Sequence, residues 1–179
     1  MNPLVLFLPV YRASTMAFLL GLVVLAALDA VRISFAGNPA IFLPILLLAL
    51  VMCFFVTSLH INRLRHAGRS GGLAALPVVV GVVVSTIASF FGWMSGYFTA
   101  AEQVLAESGN DSSPDALMEA IQDPGFQQQM QQAMQSDPEL GMMVLSAGAW
   151  PSYFGFWIVI ALFAIWFALM KRREGQVSS

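Results

Sequence analysis

The sequence predicts an all-α fold: a four-helix transmembrane bundle with an external, acidic, helical loop between the third and fourth spans. Hydrophobic residues make up 58% of the 179 and charged residues only 10%. An ordinary soluble domain is roughly 25% charged, so lipid is the solvent for most of this chain. Four apolar stretches come close to the ~20 residues that a helix, rising about 1.5 Å per residue, needs to cross a hydrocarbon core of ~30 Å. Between Thr99 and Gly148 lie eight carboxylates and no base, and nearly pure hydrocarbon flanks them on both sides. Only a helix satisfies every backbone polar group of such apolar runs from within the segment. The alternation over about ten residues that marks a membrane β-strand is missing from them.

The first span is expected over residues 14–31, with Asp29 and Arg32 three apart at its far end, able to pair at the interface. Residues 1–10 are apolar but carry no leading positive charge, and Arg12 follows them. The N-terminus therefore does not read as a cleaved signal and is expected to be retained. The second span covers residues 41–59 and the third 73–98. Pro44 and Pro77 fall in their first turns, where a missing N–H costs little. The fourth covers 149–170, with Pro151 near its start. A single cysteine, Cys53, leaves no intrachain disulfide and no cysteine-based metal site.

Orientation follows from the bases. If all four spans cross, Arg12, Arg63, Arg65, Arg69, Lys171, Arg172 and Arg173 fall on one side and only Arg32 on the other. The positive-inside rule puts that side, with both termini, in the cytoplasm and the acidic loop outside. Trp93, Tyr97, Trp150 and Tyr153 cluster at the expected outer interface, and Tyr11 and Trp166 near the inner one.

The loop has its own pattern. Ser113-Pro114, Asp123-Pro124 and Asp137-Pro138 each set a capping residue before a proline, which marks a helix start. Asp115, Glu119 and Glu139 then sit in early turns, where the helix dipole favours them. Short helices are expected near residues 114–122, 124–135 and 138–147. In the middle one Phe126, Met130 and Met134 share a face at four-residue spacing. The glutamine-rich run 127–132 offers disorder as the competing reading. The chain thus divides into a three-span region at 1–98, a loop at 99–148, and a fourth span with a basic tail at 149–179.

Two constellations stand out. The basic linker after span two places Arg63, Arg65, His66, Arg69 and Ser70 together, with Arg63 and His66 on one face if the helix continues. Such a set can hold an anionic lipid headgroup; equally, its arginines can serve only as a topology anchor. On span three, Gly81, Ser85, Ser89, Gly92 and Gly96 follow one another at spacings that keep them on one face, and Gly92 and Gly96 form a close-packing pair. That stripe serves either packing within the bundle or formation of a homo-oligomer. Ala161, Ala164 and Ala168 offer a similar surface on span four.

The linker also carries a resemblance. The run Arg63-Leu64-Arg65-His66-Ala67-Gly68-Arg69-Ser70-Gly71, flanked by apolar helices and followed by Pro77, resembles the signature of the DUF805 family of small bacterial inner-membrane proteins. Gly68, Arg69, Ser70 and Gly71 match the family pattern. Arg65 stands where it has histidine, His66 where it has aspartate, and Gly72 where it has tryptophan. The family's N-terminal Gly-Arg element is reduced to Tyr11-Arg12-Ala13-Ser14. The resemblance covers roughly residues 12–98, implies a compact helical protein of the bacterial inner membrane, and implies no activity.

No nucleophile–base set, phosphate loop or zinc-helix motif is recognisable. No catalytic, cofactor-binding or metal residue is assigned, and nucleic acid is not an expected partner, since the basic patch is small and held at the bilayer. His60 and His66 are the only histidines, with no carboxylate or thiolate nearby. Met118, Met130, Met134, Met142 and Met143 suit soft Cu(I) in type, but methionine is also the usual filler of apolar faces. The leading expectation is a non-enzymatic membrane protein that meets anionic lipid through its linker and a membrane or periplasmic partner through residues 99–148. A small oligomeric transporter or channel is the alternative; it needs a polar pathway, for which Ser85, Thr86, Ser89 and Ser95 are the candidates. A lipid-modifying enzyme would need His66 beside a carboxylate such as Glu174.

Overall fold

A computed structural model describes Leu8, Pro9 and residues 12–170. Among these residues seven α-helices follow in order: α1 Thr15–Ile33, α2 Phe42–His66, α3 Leu76–Glu107, α4 Pro114–Gln122, α5 Pro124–Ser136, α6 Pro138–Ser146 and α7 Ala149–Leu169. Short 3-10 turns at Pro39–Ile41 and Gly71–Ala75 lead into α2 and α3. Among the described residues there is no strand. Four helical stretches among the described residues are long and apolar enough to cross a membrane: α1, α2, α3 with its leading turn, and α6 continued by α7. The fold is an all-α four-helix bundle of a multi-pass membrane protein. The basic tail Lys171–Arg173, with Tyr11 and Glu174, lies outside the described residues.

Local chemistry sets most element ends. The Ser14 side chain accepts from the Ala17 N–H at 3.2 Å and starts α1. The glycines with positive φ close the two longest helices. At the end of α2, Gly68 (φ 69°) bends the chain so that Arg69 N–H returns to Leu64 O at 2.9 Å. At the end of α3, Gly109 (φ 72°) does the same for Asn110 N–H and Leu105 O at 3.1 Å. A side chain with a Cβ resists that backbone conformation.

α3 does not stop where its hydropathy falls, at Phe98. It continues to Glu107 as one helix of 32 residues, about 48 Å long against a hydrocarbon core of ~30 Å. The protruding turns carry a cap. Ala100, Ala101, Val104 and Leu105 of α3 form its floor, and Phe126, Met130, Leu140 and Val144 from α5 and α6 close over them. The sequence places α4, α5 and α6 to within a residue at each end, because each begins with a capping side chain and a proline. Asp137 Oδ1 alone accepts from the Glu139 and Leu140 N–H groups at 2.9 and 3.3 Å. The glutamine run is helical, with Gln127, Gln128, Gln129, Gln131 and Gln132 exposed on α5 while Phe126 and Met130 are buried. Met134 and Met143 pack against the same core.

The bundle proper has a second core of Phe18, Leu22 and Leu25 from α1, Met52, Val56 and Leu59 from α2, and Ile160 and Ala164 from α7. The outward faces of these helices are apolar, as lipid requires: Val23, Leu43, Phe91 and Leu162 are among the exposed large side chains.

Candidate functional site

The small-residue face of α3 meets α6 and α7 at backbone distance. A Cβ added to Gly92 would stand 2.6 Å from Ala147 O and 2.8 Å from Gly148 Cα. One on Gly96 would stand 2.5 Å from Ala147 Cβ, and one on Gly81 2.9 Å from the Phe156 ring. The opposing segment is equally bare: a Cβ added to Gly148 would stand 2.6 Å from Ser89 O, and one on Gly155 3.1 Å from Ala88 Cβ and 3.4 Å from the Ser85 Cα. The stripe Gly81, Ser85, Ser89, Gly92, Gly96 thus lies against the same chain. Its complement is Ala147, Gly148 and Gly155. The alanines singled out on span four sit elsewhere: Ala164 is in the core with α1 and α2, and Ala161 is exposed. Gly148 and Gly155 are seven apart, two helical turns, and that spacing was the available signal.

The linker cluster divides. Arg65, Arg69 and Ser70 are exposed and His66 is half-buried. Arg63 is turned inward and only 4% exposed. Its Nε donates to Phe167 O at 3.1 Å, and its Nη2 donates to Ala168 O at 2.8 Å and Met170 O at 3.3 Å. These are carbonyls of the last turn of α7, where the helix dipole is negative and no intrahelical donor remains. Arg63 therefore caps α7 and leaves the expected headgroup set. The linker also holds the chain before α1: Asn62 Nδ2 donates to Leu8 O at 2.8 Å, Ala13 N–H donates to Asn62 O at 3.2 Å, and the Arg65 guanidinium donates to Pro9 O.

His60, one turn before Arg63, is fully buried. Its Nδ1 donates to Val56 O at 2.7 Å, and its ring meets Phe18 and Phe167 edge-on, centroids 5.1 and 5.4 Å apart. The protonated Nδ1 fixes the tautomer and leaves Nε2 as a lone pair facing apolar side chains.

The charged pair of α1 is the feature whose setting the sequence understated. Asp29 pairs with Arg32 as expected, and it is buried within the bundle, only 5% exposed. Its Oδ1 accepts from Arg32 Nε at 2.6 Å and its Oδ2 from Trp157 Nε1 of α7 at 2.8 Å. Tyr153, one turn earlier on α7, donates its hydroxyl to Ala26 O at 3.2 Å. Both α7 partners were missed. Beside the pair lies a cavity of about 200 Å³ whose walls come from all four spanning helices and include Asp29, Arg32, Cys53, Ser85, Ser152 and Tyr153. Such a volume holds a few waters, and its polar walls suit them. Ser85 and Ser152 also line a neighbouring groove of about 400 Å³ with Thr86, Ser89 and Trp93. Leu25, Met52, Val56, Leu59 and Ile160 belong to the apolar core of the bundle, and Met52 also lines the polar space. Compared with known proteins, the chain matches no family model, no curated protein and no solved structure.

Proposed function

We propose that this chain is a non-catalytic protein of a bacterial inner membrane, both termini cytoplasmic, that presents its helical cap outside the cell membrane to a cationic partner protein. The observation that carries this reading is the state of the cap's carboxylates. Glu102, Glu107, Asp111, Asp115, Glu119, Asp123, Asp137 and Glu139 are all exposed, and the ion pair among the described residues is that of Asp29 with Arg32, far from them. The cap is a folded surface with its own core, so this charge is fixed in place rather than spread along a loose linker. Fixed, like-signed charge steers an oppositely charged partner and selects against acidic ones.

A groove of about 580 Å³ between α3, α4 and α5 concentrates it, lined by Asn110, Asp111, Glu119, Asp123 and Gln129 over Phe126. Asp111 accepts from the Ser113 hydroxyl at 2.8 Å and the Ser113 N–H at 3.0 Å. Those bonds favour the ionised form and hold its carboxyl below the usual carboxylate range. The groove therefore keeps this negative charge in mild acid.

The orientation rests on the bases: Arg65 and Arg69 are exposed, and the positive-inside rule assigns such arginines to the cytoplasmic side, where anionic headgroups would meet them. The resemblance of Arg63–Gly71 to the DUF805 signature supports the same placement. The transporter reading needs a polar path through the bundle, whereas Leu25, Val56, Leu59 and Ile160 make its core apolar. A photo-crosslinker at exposed Met118 tests the proposal in native membranes. Neutralising Asp111, Glu119 and Asp123 to Asn or Gln should lower the crosslinked partner about tenfold, since each 1.4 kcal/mol of lost attraction is a factor of ten. High salt should do likewise. An adduct unchanged by both treatments rejects an electrostatic docking surface.

A further inference from the structure

Arg32 stands where two cavities meet. It lines the polar space already described, and it also lines an apolar groove of about 570 Å³ between α1 and α2, walled by Leu25, Leu28, Val31, Ile45, Leu48 and Phe55. From Leu25 to Arg32 that groove follows α1 for about 10 Å at helical rise, and it runs on to Phe35 beyond the helix end. Its walls are open to the hydrocarbon: Leu28, Val31 and Leu48 are exposed on the lipid side of the bundle. Asp29 takes the Arg32 guanidinium through Nε, and both terminal nitrogens have no hydrogen-bond partner among the described residues. Arg32 is the penultimate residue of α1, at the end of the span, so its four remaining N–H donors lie where a polar group from outside the chain can reach them.

From this juxtaposition we infer that the α1–α2 groove is a specific site for a glycerophospholipid, one acyl chain lying in the groove and the phosphate on the Arg32 fork. The charge complementarity is geometric. A carboxylate bound side-on at Nε fixes the guanidinium plane, and the free end then presents two parallel N–H donors matched to two phosphate oxygens. Asp29 is a positioning residue here, itself held by Trp157 Nε1 at 2.8 Å. The groove adds selectivity by shape. An acyl chain gains no hydrophobic energy by moving from lipid into it, so retention depends on close packing along the groove together with the headgroup contact.

The test uses the full chain purified in detergent, with lipid retention read by native mass spectrometry. Dioleoylphosphatidylglycerol, dioleoylglycerol and inorganic phosphate are the probes. The phospholipid should be retained; dioleoylglycerol, with the same chains and no phosphate, should bind about tenfold more weakly or less, since one lost charge-assisted hydrogen bond is worth at least that factor, and inorganic phosphate, with no chain to pack along the groove, should not be retained. Two variants divide the site. Asp29→Asn with Arg32→Gln removes both charges together and leaves no unpaired ion. Leu48→Trp fills the groove at a side chain that already faces lipid and leaves the ion pair intact. Each should lower phospholipid retention about tenfold, by the same conversion. Equal retention of dioleoylglycerol overturns the phosphate contact, and unchanged retention in Leu48→Trp overturns the groove. A dimer that Leu48→Trp abolishes, with no lipid bound, makes a second copy the occupant and overturns the proposal.

Discussion

Replacing Gly92 by leucine is expected to force α3 away from α7 and to unfold the bundle. The added Cβ alone would lie 2.6 Å from Ala147 O, 2.8 Å from Gly148 Cα and 2.8 Å from Pro151 Cγ. Two of those atoms are backbone, so no rotamer change makes room. Overpacking in a tight core typically costs about 1–3 kcal/mol, and here the helix itself must shift, so the upper end of that range applies. In a membrane this contact has no hydrophobic substitute, because lipid tails are as apolar as leucine and close backbone approach is what holds the helices together. Equilibrium unfolding in mixed micelles measures the loss. Gly72→Leu is the matched control, since a Cβ there meets nothing within 4 Å, and it should leave stability unchanged. Wild-type stability in Gly92→Leu would mean that α3 and α7 do not touch at this point.

Arg63→Ala is expected to cost about 3 kcal/mol, a figure that follows from breaking charge-assisted bonds worth ~1.5–3 kcal/mol each, with part of the loss recovered by hydration of the half-buried carbonyls it frees. It removes the donors for Phe167 O, Ala168 O and Met170 O at once. It also removes the cation that faces the negative end of the α7 dipole. Lysine restores the charge but not the fork, so Arg63→Lys should recover only part of the loss. Hydrogen exchange locates the effect: amides of the last turns of α7 should exchange faster in Arg63→Ala, while those of the cap stay as they were. A variant that keeps its stability and loses only anionic-lipid binding would put this arginine at the headgroups after all.

What the sequence revealed, and what it hid, has a physical division. The cap helices were legible to within a residue because an N-cap acceptor and a following proline act on their own few residues. The four spans were legible because hydrocarbon length is a property of each run alone. The length of α3 was not, since hydropathy reports where water begins and not where a helix ends. Residues 99–107 are polar enough to leave the lipid yet still good helix formers. Spacing put Arg63 on a face with His66 but said nothing of which way that face turns. The answer depends on carbonyls 104 and more residues away. The Asp29–Arg32 pair was legible from their spacing, but the burial of Asp29 was not: Trp157, whose indole also donates to it, is 128 residues along the chain. The stripe on α3 was visible, whereas its choice between a neighbour within the chain and a second copy depended on Gly148 and Gly155 lying opposite.

The proposed function stands or falls on which side of the membrane the cap lies. In a Cys53→Ser background, single cysteines at Gln128 on α5 and at Ser70 in the linker report the two ends, both being exposed positions. A membrane-impermeant maleimide added to intact spheroplasts should label Gln128→Cys at once and Ser70→Cys only after the membrane is opened. Immediate labelling of Ser70→Cys with protection of Gln128→Cys would put the acidic cap in the cytoplasm and contradict an external docking surface.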